Sequence, residues 1–286
     1  MIHDAIGDHF KAQEQQFRLK LDRNKTTIIR LDGMRFHSFT KPFLYPFDPF
    51  LRFCLDQSLI ELIEKELKSY VSLVYFQSDE ASIVLPPITK EEDRLPFDGR
   101  VEKLNAILCQ WNVFFWSKLL FSQAKVRELP SIKTSFNVVE SLLKDASEDY
   151  QFLQMDKYFE KLNSFLGKTF PGFDCRFIQV SSFKEIDEYL GWRRVDAIRN
   201  YKSMIGNSFF SPKSLKGLTA KEIIEKVEQE SHFKYAEFPV FMKRGTIYRT
   251  NKFKSWYNDE FLLGDPLTQT FQQDVLSGIK NRSNWS

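Results

Sequence analysis

The chain is poor in cysteine, in long apolar runs and in net charge, and each shortage closes off a class of function. Cysteine occurs three times, as Cys54, Cys109 and Cys175. None stand in a C-x-x-C spacing and three cannot all pair, so a disulfide scaffold and a zinc site are not expected, and a reducing compartment is. No apolar run approaches the roughly 20 residues that a membrane-spanning helix needs. The stretch Met1 to Asp8 lacks a basic segment followed by an apolar one. A soluble, cytoplasmic protein without membrane contact is expected. Lys and Arg number 41 against 38 Asp and Glu, a net charge of +3, which permits nucleic-acid binding without demanding it. No internal repeat or low-complexity segment is present.

What is abundant is phenylalanine, 29 residues in a chain of 286. Such a chain can bury a sizeable core, and one domain or one and a half are both compatible with its length. Most of the aromatic rings are expected in that core, while some can stack on bases.

The most informative stretch is Thr26 to Leu85, around two short acidic knots. Leu31-Asp32-Gly33 closes the apolar run Thr27-Ile28-Ile29-Arg30. Gln77-Ser78-Asp79-Glu80 lies between Ser72-Leu73-Val74-Tyr75-Phe76 and Ala81-Ser82-Ile83-Val84-Leu85. Short β-branched runs bounded by polar or Gly residues read as strands, and the four-residue gap makes the last two a hairpin. With the first strand beside that hairpin, Asp32 and Asp79 converge. Two ionised carboxylates that close repel, so the pair takes up a proton or holds a cation. Oxygen ligands suit Mg²⁺, and a pair of such ions is the usual engine of phosphoryl and nucleotidyl transfer. Gly33, lacking a side chain, lets its carbonyl approach an ion. By composition alone each knot is also an ordinary turn.

Asp32-Gly33-x-x-Phe36-His37-x-Phe39 followed by Gln77-Ser78-Asp79-Glu80 resembles the signature of the tRNA-His guanylyltransferase family, enzymes that add nucleotides in the 3′-to-5′ direction. The resemblance implies an α+β fold: a polymerase- or cyclase-type palm, a ferredoxin-like antiparallel sheet covered by helices, with helical additions. It implies two Mg²⁺ ions held by Asp32, Gly33 and Asp79, with Glu80 a weaker candidate ligand. It implies GTP or ATP as substrate, tRNA or tRNA-like RNA as partner, and a homo-tetramer. The loop after Gly33 holds the nucleotide's phosphates in the family, which points to Arg35, Phe36 and His37, and Ser78 joins them from the second knot. Met34 stands where the family usually has Arg directly after Gly, which leaves a side-chain role for Arg35 open. His37 reads equally as a buried histidine bonded to a carbonyl.

Pro49 to Lys68 reads as a helix with a broad apolar stripe, completing strand, helix and hairpin. Asp98 can cap a helix running to about Phe121. Arg100 and Lys103 then lie in its first turn, where cations oppose the helix dipole unless an anion is near. The family has Arg-x-x-Lys here, implying phosphate ligands, and two solvated surface charges are the plain alternative. Lys125 to Thr169 departs from the family as an insertion of roughly forty residues with a helix-like stretch Asp156 to Leu166.

Phe173-Asp174-Cys175-Arg176 resembles the family's Phe-Asp-Gly-Arg. Ser182-x-x-Glu185 and Thr219-x-x-Glu222 are capping boxes opening helices to about Met204 and Glu230. On the first, Arg193, Asp196 and Asn200 share a face. Trp192, Arg193, Asp196 and Asn200 match the family's Trp-Arg-Gln-x-Asp segment and the positions after it, whereas Arg194 replaces Gln, Ile198 replaces His, and a Tyr-Asn pair is missing. These departures resemble the guanylyltransferase-like branch that repairs 5′-truncated RNA. Arg193, Arg194, Asp196, Asn200, Lys243 and Arg244 are the candidate RNA contacts, the last two also readable as an exposed turn.

The expected organisation is a palm with the metal-binding carboxylates over 1–124, an insertion over 125–170, and palm completion with a C-terminal helical region over 171–286. The expected function is Mg²⁺-dependent nucleotide addition to an RNA 5′ end. A nucleotide cyclase on the same palm and a non-catalytic RNA-binding protein remain the alternatives.

Overall fold

The computed structural model describes residues 2–129, 137, 155–238 and 240–249. Helix α1 (Ile2–Gln15) leads to strand β1 (Thr26–Met34), and a single helical turn, α2 (Phe36–Phe39), comes after it. The next helix, α3 (Pro49–Leu62), starts as its sequence dictates: Pro49 takes the first turn and the Asp48 carboxylate accepts the Leu51 N–H at 2.8 Å. A π-helical turn, Ile63–Leu67, ends it. Strands β2 (Leu73–Gln77) and β3 (Glu80–Leu85) form the expected hairpin. Its turn is tighter than four residues, because Gln77 pairs with Glu80 and only Ser78 and Asp79 remain between them. Ser78 takes a φ of 49°, the left-handed backbone that two-residue hairpin turns need.

The helix expected from Asp98 to Phe121 is two helices and begins later. Phe97, Asp98 and Gly99 all have positive φ, which no α-helix accommodates. Asp98 pairs with Lys20 instead of capping, and Arg100 is the N-cap of α4 (Val101–Leu108). A tight turn at Cys109 and Gln110 separates it from α5 (Trp111–Phe121), and α6 (Gln123–Glu128) comes next. This break turns Trp111 inward, where it stacks on Phe173 at 3.9 Å and donates its Nε1 proton to Ser58 at 2.8 Å. Most of the insertion lies outside the described residues. Its closing helix, α7 (Met155–Phe165), stands where the helical stretch was expected and packs Tyr158, Phe159 and Leu162 into the core.

Then come β4 (Gly172–Val180), α8 (Phe183–Phe209), α9 (Ala220–Glu230), α10 (Val240–Arg244) and β5 (Thr246–Arg249). Both capping boxes are formed, Ser182 with Glu185 and Thr219 with Glu222. Residues 250–286, polar with scattered aromatics from Asn251 and with a loose end expected at Asn281 to Ser286, lie outside the described part.

The strands form one antiparallel sheet in the order β4-β1-β3-β2-β5. Ile29, Leu31, Val74, Phe76 and Ile83 face a core shared with α3, α5 and α7. Ile28, Leu73, Tyr75 and Val84 face the opposite side, where Ile186 and Leu190 of α8 cover them. Strands buried on both faces carry continuous apolar runs, which is why β1 to β3 read as they do. The architecture is α+β, an antiparallel sheet with helices on both faces.

Candidate active site

The site is a product of sheet register. Asp32 lies opposite Glu80 on one neighbouring strand and opposite Asp174 on the other. Three carboxylates thus form one cross-strand rung, an arrangement of like charges that destabilises a sheet unless neutralised. Neutralisation comes from the next rung on the same face, where Arg30 and Arg176 stand opposite each other. Arg30 donates to Asp32 Oδ2 at 2.5 Å and lies 3.0 Å from Glu80 Oε2. Arg176 donates to Asp174 at 2.7 Å and reaches within 4.0 Å of Asp32. From α8, Arg193 donates from Nε and Nη2 to the two oxygens of Glu80 at 2.6 and 2.5 Å.

Asp79 enters from the hairpin turn. A Cβ built on Gly33 would meet Asp79 Oδ2 at 2.3 Å and the Phe36 ring at 2.4 Å. The carboxylate therefore occupies the space that only a glycine at position 33 leaves free. Burial raises the Asp79 pKa to about 6; hydrogen bonds from its own backbone and from Ser78 oppose the shift, and the charges of Asp32 and Glu80 add to it. The convergence of Asp32 and Asp79 expected from the sequence is present. The donor set is oxygen only, and the carboxylate is held where ionisation is unfavourable, so a hard divalent cation fits these residues. Among the described residues no cluster of three or more His, Cys, Asp or Glu side chains could hold a metal. Any ion here would rest on two carboxylates, backbone oxygen and substrate.

The remaining candidates divide. Glu80 is buried with both oxygens bonded by Arg193, which makes it a link to α8 and not a free ligand. Ser78 is exposed beside Asp79. Arg35 is exposed at φ 64° as the N-cap of α2, and His37 is exposed on that turn, so the buried-histidine alternative does not hold. Phe36 packs on Phe39, Phe115 and Phe173 in the core.

Arg100 and Lys103 begin away from the carboxylates. The Leu21 N–H bonds the Gly99 carbonyl, the adjacent Asp22 N–H bonds Gln179, and Gln179 pairs with Thr27. Five residues of strand, about 17 Å, separate that pair from Asp32. Lys103 is exposed one turn further along. The Val101 N–H is already bonded by the Leu19 carbonyl, so the α4 terminus offers fewer free donors than a bare helix end.

The RNA candidates also separate. Arg193 and Arg194 are buried, at 6% and 0% exposure, and neither presents its charge to a macromolecule. Asp196 is bracketed by Arg193 and Arg199, and Asn200 is exposed. Lys243, expected at an exposed turn, is buried in α10, where its Nζ donates to the Tyr235 and Ala236 carbonyls at 3.0 and 3.1 Å. Arg244 is partly exposed. Sequence reasoning misses Arg30, Asp174 and Arg176 as a connected group, along with Tyr201, a buried tyrosine whose pKa the Asp79 charge helps to raise after burial itself. Residues 30 and 32, and 174 and 176, share a face by strand alternation, which is the signal that could have found them.

Known proteins resemble this chain over most of its length. The family model described as tRNAHis guanylyltransferase matches residues 7–181. A bacterial tRNA(His) guanylyltransferase-like protein solved in complex with ATP is 25% identical with a TM-score of 0.64, over 85% of this chain and 86% of that one. The tRNA(His) guanylyltransferase of Saccharomyces cerevisiae is 23% identical with a TM-score of 0.56, over 83% and 91%, a likeness of fold. An uncharacterized protein of Acanthamoeba polyphaga mimivirus is 23% identical over 265 residues, 89% of this chain and 80% of its own.

Proposed function

The chain belongs to the tRNAHis guanylyltransferase family, and from this we propose that it is a Mg²⁺-dependent nucleotidyltransferase that extends the 5′ end of tRNA or tRNA-like RNA in the 3′-to-5′ direction. The observation that carries the reading is the Asp79 carboxylate seated against Gly33 beside Asp32. Asp32, the Gly33 carbonyl and Asp79 would hold two Mg²⁺ ions, which when bound lower the pKa of a nucleotide's 3′-hydroxyl and neutralise charge on the reacting phosphate. That hydroxyl attacks the activated 5′ phosphate of the RNA, forming the 3′–5′ phosphodiester and releasing the activating group.

The chain's own contribution is placement and charge. Arg30 and Arg176 hold Asp32 and Asp174 in place by hydrogen-bonded ion pairs at the bottom of the site, and the exposed Arg35, His37 and Ser78 line the approach from the hairpin and α2. A nucleoside triphosphate, GTP or ATP, is the proposed substrate, supported by the relatives solved in complex with ATP and with GTP. Lys103, with Arg100 behind it, would meet the far end of the triphosphate. The absent His and Tyr-Asn pair favour repair of 5′-truncated RNA over strict tRNA-His use, with Asn200 and Arg244 as RNA contacts.

We place the protein in the cytoplasm as a homo-tetramer. Free Cys54, Cys109 and Cys175 suit a reducing compartment. The exposed Val113, Leu120 and Phe121 on α5 suit a subunit contact. The organisation proposed is a palm over 1–124, an insertion over 125–170, and palm completion with a C-terminal helical region over 171–286.

The test is incubation with Mg²⁺ and labelled GTP, with and without a 5′-truncated tRNA. RNA lengthened at its 5′ end is expected, and lost in Asp79→Ala. A cyclic nucleotide formed without RNA, or Mg²⁺-independent binding without turnover, would replace the reading with a cyclase or a binding protein.

A further inference from the structure

We propose that Arg193 is a positioning residue for the divalent-ion site, acting through Glu80; this rests on the metal-dependent reading above. Glu80 is the residue immediately after Asp79, and the hairpin turn has only two residues, so the place of Asp79 is tied to the place of Glu80. Arg193 fixes Glu80 in direction as well as distance, because Nε and Nη2 meet the two carboxylate oxygens as a fork. The guanidinium is itself held flat: its carbon lies 4.7 Å from the centre of the Trp192 ring, and Asp196 approaches to 3.4 Å.

The same clamp continues to the other ligand. Glu80 Oε2 also lies 3.0 Å from Arg30 Nη2, which bonds Asp32. One unbroken path of ion pairs therefore runs Arg193–Glu80–Arg30–Asp32, from α8 to both sides of the candidate ion site. Both ends of the first pair are buried, which keeps the geometry rigid and screens it little from solvent. Arg193 touches neither ion nor substrate in this arrangement. Its effect is on where the ligands stand, as outer-shell partners do in other metal sites.

The probe is Mn²⁺, titrated into the full chain without nucleotide or RNA, with the free ion read by electron paramagnetic resonance and thermal unfolding recorded in parallel. Arg193→Lys keeps the charge but loses the fork, and Mn²⁺ affinity is expected to fall about 10-fold or more. Glu80→Gln, which retains one acceptor and removes the buried charge, keeps the question answerable should Arg193→Lys not fold, and is expected to move affinity the same way. A folded variant with a lowered midpoint but unchanged Mn²⁺ affinity would make the clamp merely structural and overturn this inference alone. No Mn²⁺ binding by the unaltered chain would overturn both it and the proposed function.

Discussion

Replacing Asp79 by Asn should make the ion-free protein more stable while abolishing its activity. Burial and the neighbouring charges raise the Asp79 pKa from 3.8 to about 6 in the folded chain. The folded state thus binds the proton more tightly than the unfolded one, and ionisation between these two values destabilises it. At about 1.36 kcal/mol per tenfold change, the ionised group costs about 3 kcal/mol near neutral pH, and partial solvent contact lowers this to about 2. Asn has the same shape, retains an acceptor for the Ser78 hydroxyl and carries no charge. Urea unfolding in EDTA at pH 7.5 should show Asp79→Asn ahead by about 2 to 3 kcal/mol, shrinking to about 1 kcal/mol or less at pH 4.5 as the wild-type carboxyl protonates. Mn²⁺ at about 1,000 times its dissociation constant should reverse the order, since the ion stabilises only the protein that binds it, by about 4.1 kcal/mol. A variant less stable than wild type at pH 7.5, or a gain that does not depend on pH, would refute the claim that Asp79 is held against its own ionisation.

Other substitutions probe other parts of the molecule. Gly33→Ala places a methyl where Asp79 Oδ2 would lie at 2.3 Å; overpacking of about 1–3 kcal/mol and loss of 5′ addition are expected, read by thermal unfolding and primer extension. Tyr158→Phe removes the 2.7 Å hydrogen bond to the buried Asp48 carboxylate, costing about 1–3 kcal/mol with nucleotide addition unchanged, as unfolding and turnover of the same variant would show. Lys243→Met should lower the unfolding midpoint by removing the donor to two carbonyls, while leaving the salt dependence of RNA binding as it was. A reduced salt slope would return Lys243 to the RNA surface.

What could be read from the sequence was local. Strand β1, the hairpin, the Asp48-Pro49 helix start and both capping boxes arise from patterns of four to ten neighbouring residues, and all are present. The meeting of Asp32 and Asp79 needed only that β1 lie beside β3. Illegible was whatever depended on distant partners. Arg193 and Lys243 carry surface-type charges, yet Glu80 and a pair of backbone carbonyls, inaccessible to pattern reading, draw them inside. The three successive left-handed residues at Phe97 to Gly99 displace a helix start that a capping Asp suggested, because two non-glycine residues adopt a backbone that composition does not announce. Asp174 belongs to a family-like motif, but its place opposite Asp32 comes only from register.

The Arg193–Glu80 pair spans 113 positions of the chain, and that separation bears on how the protein is made. A ribosome adding about 5–20 residues per second exposes β1 and the hairpin several seconds before the guanidinium that quiets Glu80 leaves the exit tunnel. During that interval Arg30 is the cation of the described ion-pair path that already faces Asp32 and Glu80. The forked hold on Glu80 therefore waits on translation of α8, and a chain whose synthesis stops before codon 193 has, among the described residues, Arg30 alone to pair with both Glu80 and Asp32.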